Sequence, residues 1–117
     1  MLLKPSDVVE DVYRVLARAG GAYNGPIFVT AHQILNRLPR RIRSRLIRER
    51  GRAGAGSGHY YASASIVSDA AEMLMRRRRV DIEWLDTRGL HLECGGETIQ
   101  AGNASCALYR MHQRVRR

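Results

Sequence analysis

Apolar positions recur every three to four residues between Val8 and Ala19: Val8, Val12, Val15 and Ala19 form one stripe, with Val9 and Leu16 beside it. That period predicts an amphipathic helix. Ser6 is placed to cap it, Asp7, Glu10 and Asp11 suit the positive end of its dipole, and Gly20-Gly21 ends it. Pro26-Ile27-Phe28-Val29 is too short for a helix and β-branched enough for an edge strand near 27–29. Thr30 reads as the N-cap of a second helix with Ile34, Leu35 and Leu38 inward. Pro39 closes that helix and opens a third, which runs to Arg50 and buries Ile42, Leu46 and Ile47.

The pattern breaks at Gly51–Gly58, a glycine-rich loop that His59-Tyr60-Tyr61 closes. Helical spacing returns with Ile66, Val67, Ala70, Ala71 and Leu74, so a helix is expected over 63–76. From Val80 the period becomes two. Val80, Ile82 and Trp84 alternate with Asp81, Glu83 and Leu85, the turn Asp86-Thr87-Arg88-Gly89 follows, and Leu90, Leu92 and Cys94 alternate again. This predicts a hairpin, then strands near 97–100 and 106–111, with 112–117 as a frayed basic tail. Cys106–Met111 reads as a strand near a sheet edge, able to pair across a two-fold axis in a homodimer. The expected fold class is therefore α+β, four helices followed by a small antiparallel sheet. A chain of 117 residues suits one domain, 1–117. No apolar run is long enough to span a bilayer, and the N-terminus lacks the basic and apolar regions of a secretory signal, so a cytoplasmic protein with no membrane partner is expected.

Charge changes this picture most. Twenty basic residues against eleven acidic ones give a net charge of +9; Lys4 is the single lysine, so nineteen of the twenty are arginines. They concentrate in one place. Arg37, Arg40, Arg41, Arg43, Arg45, Arg48, Arg50 and Arg52 put eight arginines into sixteen residues, and Glu49 is the one acid between residues 20 and 68. Guanidinium forks pair with phosphate oxygens and release condensed counterions, so this segment points to nucleic acid. An acidic protein surface is the alternative partner, with the chain acting as a small interaction or inhibitor protein. Replacing Arg43, Arg45 and Arg48 by Gln is then expected to weaken binding and leave melting almost unchanged.

Other candidates add less. Tyr60, beside His59 and the basic loop, is placed to stack on a base. Arg88 at the hairpin tip would add a secondary contact, and Arg76–Arg79 end a helix where Asp81, Glu83 and Asp86 are near enough in sequence to neutralise them. His91, Cys94, Cys106 and His112 have zinc-like spacing, but residues three apart on a strand point to opposite faces, so no metal is expected. A disulfide between Cys94 and Cys106 is disfavoured by the expected compartment. No nucleophile elbow or apolar carboxylate pair is present, and His32 and His59 are the general-base candidates near the arginines; a non-enzymatic protein without cofactor is expected.

The order helix, strand near Ile27–Val29, helix Thr30–Leu38, helix Ser63–Met75 and hairpin arms Val80–Asp86 and Leu90–Cys94 resembles the winged helix-turn-helix architecture. The resemblance lies in pattern and covers about residues 6 to 94. It implies DNA rather than RNA as partner, Ser63–Met75 as recognition helix and Asp86–Gly89 as wing tip. The phosphate contacts are assigned to the arginines of the third helix.

Overall fold

The computed structural model describes residues 2–21, 25–50, 63–86, 88, 91–94, 97–100 and 105–112. Helix α1 spans Pro5–Arg18 and buries Val8, Val9, Val12, Val15 and Leu16, the stripe that its periodicity marks. Its start differs from expectation. Pro5 occupies the first turn, where a missing N–H costs nothing, and Lys4 rather than Ser6 is the N-cap. The Asp7 carboxylate accepts the Lys4 backbone N–H at 2.8 Å.

Strands β1 (Gly20–Gly21) and β2 (Gly25–Pro26) form a small antiparallel pair. Gly20 has φ +126°, and a Cβ there would lie 2.1 Å from the Gly25 carbonyl oxygen, so this pairing requires glycine at position 20. Of the strand expected near 27–29, only Val29 lies in a strand, β3 (Val29–Thr30), which joins the main sheet; Ile27 and Phe28 link it to β2.

Helix α2 (Ala31–Arg37) starts from Thr30 as a reciprocal cap: the Gln33 N–H donates to Thr30 Oγ1 at 3.1 Å, and the Thr30 N–H donates to Gln33 Oε1 at 2.8 Å. Pro39 separates it from α3 (Arg40–Arg50), of which Leu46 alone is fully buried while Ile42 and Ile47 are half-buried. Helix α4 (Ser63–Arg76) is the interior helix, packed along α1 and against α2. Ala64, Ile66, Val67, Ala70, Ala71 and Leu74 are all buried, and the small residues allow close approach on more than one side.

Four further strands follow: β4 (Val80–Asp86), β5 (His91–Cys94), β6 (Glu97–Gln100) and β7 (Ser105–Met111). The expected hairpin between 80–86 and 90–94 does not form. β4 pairs along its whole length with β7, from Val80 opposite Met111 to Asp86 opposite Ser105, and β5 pairs with β6 instead. A seven-residue ladder outcompetes the local turn signal at 86–89. The main sheet has the order β3-β7-β4, so β7 is central, with β4 along its whole length on one side and β3 opposite Leu108 and Tyr109 alone on the other. Tyr109 lies between Val29 and Ile82 across the two ladders, and its hydroxyl hydrogen-bonds Ser68 of α4, tying the sheet to the helical layer. The result is an α+β fold of four helices and a small antiparallel sheet. Among the described residues no helix is long and apolar enough to cross a membrane.

Candidate functional site

Leu46 anchors α3 to the core, and this fixes which arginines face outward. Arg40, Arg41, Ser44 and Arg48 are exposed, at spacings of three and four that place them on one face. Arg37, exposed at the end of α2, precedes this face by the two residues Leu38 and Pro39. Arg37, Arg40, Arg41 and Arg48 have no ion-pair partner among the described residues.

The other arginines of α3 hold the fold. Arg43 donates through Nη1 to the Asn36 carbonyl at 2.8 Å, satisfying an acceptor that α2 leaves open at its C-terminal end. Arg45 donates from Nε to Glu49 Oε2 at 2.7 Å. Glu49 in turn accepts the Leu3 N–H at 2.7 Å, and Arg50 donates to the Leu3 carbonyl at 3.0 Å, so the end of α3 grips the segment leading into α1 through both its backbone groups. The Leu3 N–H and the Arg45 guanidinium hold the Glu49 carboxyl below its ordinary pKa. The lone acid of this basic stretch thus has a structural task. An acid four residues after an arginine is a pairing signal visible in the sequence; the Leu3 contact, 46 residues away, is not.

Arg52 and Tyr60 lie outside the described residues. Arg88 is exposed but engaged, its Nε and Nη2 donating to both oxygens of Asp86, the shorter bond at 2.7 Å. The Arg76–Arg79 run is not neutralised by the acids that follow. Asp81 is taken by Arg110 at 3.1 Å and by His112 Nδ1 at 2.9 Å, and Asp86 by Arg88. Arg76, Arg77 and Arg78 are exposed, whereas Arg79 stacks on the Tyr13 ring with its guanidinium carbon 4.0 Å from the centroid. Helix α4, the expected Ser63–Met75 helix, is buried along Ser63, Ala64, Ile66, Val67, Ala70, Ala71 and Leu74, and its exposed side carries the acidic Asp69.

Burial pushes the His32 pKa down and favours neutral imidazole. Cys106 is a free thiol on β7, its pKa raised by burial. No cluster of three or more metal-binding side chains occurs among the described residues; the side chains of His91 and Cys94 are not among those described.

Two open grooves flank these elements. One, of about 640 Å³, lies beside β4; Asp81 pairs there with Arg110 and His112, and Arg78 and Glu83 also line it. The other, of about 390 Å³, lies between the ends of α1 and α2 and is lined by Val15, Arg18, Ala19, Gly20, Ile27 and Arg37. Comparison with protein-family models, curated proteins and solved structures finds no match for this chain.

Proposed function

We propose that the chain is a nucleic-acid-binding module that grips the phosphate backbone with Arg37, Arg40, Arg41 and Arg48. One observation carries this reading: α3 presents three guanidiniums on a single exposed face, a fourth precedes them, and the one acid of α3, Glu49, is committed to Arg45 and Leu3. Uncompensated positive charge on one face destabilises the free protein by self-repulsion and is relieved by a polyanion. Only Leu38 and Pro39 separate α2 from α3, and this short connection favours α3 rather than α4 as the contacting helix of a helix-turn-helix-like module.

The test is fluorescence anisotropy with labelled duplex DNA, single-stranded DNA and duplex RNA across a salt series. The Arg40→Gln/Arg41→Gln/Arg48→Gln variant is expected to bind more weakly, with a flatter salt dependence and a melting temperature no lower than that of the wild type. Unchanged binding by this variant, or no binding of the wild type to any probe at about 100 mM salt, overturns the reading.

A further inference from the structure

The groove between the ends of α1 and α2 combines three features that the phosphate contacts of α3 do not use. Its floor is aliphatic: Val15 and Ala19 from the last turns of α1, and Ile27, which is 40% exposed. Its rim carries two guanidiniums, Arg18 and Arg37, neither with an ion-pair partner among the described residues, and no acid lines it. Its wall is formed by the last turn of α1, where carbonyl oxygens run out of intrahelical donors. Gly20, held at φ +126° by the approach of Gly25, keeps this corner free of a side chain.

Each feature selects part of a ligand. The guanidiniums call for an anion at the rim. The helix C-termini disfavour an anion further in, since they carry partial negative charge, and favour a neutral group with N–H donors. The aliphatic floor favours a flat apolar face. A nucleotide with its base unstacked meets all three requirements, with phosphate at the rim, ring on the floor and amino or imino hydrogens toward carbonyl oxygens. Arg37 belongs both to this groove and to the series Arg37–Arg40–Arg41, so a strand following α3 arrives at the groove mouth.

We infer that this groove is a pocket for one unpaired nucleotide, and that the chain therefore prefers single-stranded nucleic acid, or a duplex with an unpaired end, over a blunt duplex. The inference rests on the phosphate-binding reading of α3 and names the substrate class of that site. A base paired and stacked within a blunt duplex cannot enter; a base already unpaired enters at a smaller unstacking cost.

The experiment uses the full chain and two labelled probes, a single-stranded DNA 12-mer with one internal 2-aminopurine and a blunt duplex of the same sequence. Wild type is expected to bind the single strand about fivefold more tightly or better and to change the 2-aminopurine emission. Arg18→Gln and Ile27→Ser, both at exposed positions outside α3, are expected to lose this preference and the emission change while keeping duplex affinity. Circular dichroism melts check that each variant is folded. Equal wild-type affinity for both probes overturns the pocket and leaves the α3 reading standing, as does a preference that survives both variants. Absence of binding to either probe overturns both.

Discussion

At the level of single residues, arginines that look alike in the sequence divide into two kinds. Arg43→Gln removes the donor to the Asn36 carbonyl and is expected to cost about 1 kcal/mol in a urea melt. Arg48→Gln, at an exposed position without a partner, is expected to stay within about 0.5 kcal/mol of wild type. The triple replacement of Arg43, Arg45 and Arg48 is therefore a poor probe of binding, because two of its three sites hold structure. Glu49 gives a second prediction. Its folded pKa is depressed, so its contribution is present above the unfolded value of about 4.3 and disappears as pH falls through the folded value. The gap in urea midpoint between wild type and Glu49→Gln is expected to be widest at neutral pH and to close on acidification into that range. A gap independent of pH would show that the carboxylate charge has no part in holding Leu3.

At the level of elements, the arginine face depends on one attachment point. Leu46 is the single fully buried side chain of α3, and Leu46→Ala is expected to cost about 2–5 kcal/mol in thermal or urea unfolding, with loss of nucleic-acid affinity near the melting point. Gly20→Ala tests the corner between β1 and β2. With a Cβ 2.1 Å from the Gly25 oxygen, it is expected to destabilise by about 1 kcal/mol or more. Helices were the legible part of the sequence because their determinants are local: the Val8–Val12–Val15 stripe, the Thr30–Gln33 cap and the Pro39 break each act within one or two turns. Strand partners were not legible. The turn signal at Asp86–Gly89 and the alternation through Leu90–Cys94 are both real, yet neither reveals that residues 105–111 offer β4 a longer ladder. The α3 face was legible as charge and illegible as geometry, since the task of Arg43 depends on where α2 ends and that of Arg50 on Leu3, 47 residues away.

At the level of the whole molecule, charge is arranged by face. On the β4 side Asp81 and Asp86 are paired with Arg110, His112 and Arg88, whereas on α3 and the end of α2 one ion pair, Arg45–Glu49, stands beside Arg37, Arg40, Arg41 and Arg48, unpaired among the described residues. Affinity for DNA is expected to fall with salt at a log–log slope of about −3.5 for four neutralised phosphates, approaching about −1 in the Arg40→Gln/Arg41→Gln/Arg48→Gln variant. A slope unchanged by the triple replacement would place the contacts elsewhere on the surface. The sheet order β3-β7-β4 has its own consequence for how the molecule comes into being. The central strand is made after every other described element, so during translation β3 and β4 leave the ribosome with nothing to pair against, and Tyr109 reaches Ser68 only once β7 has emerged. The helical layer can assemble while the chain is still growing, but the sheet must wait. A stop codon ahead of residue 105 would therefore strand β3 and β4 with unpaired edges and remove the Tyr109 tie, turning a modest shortening of the chain into loss of the whole sheet.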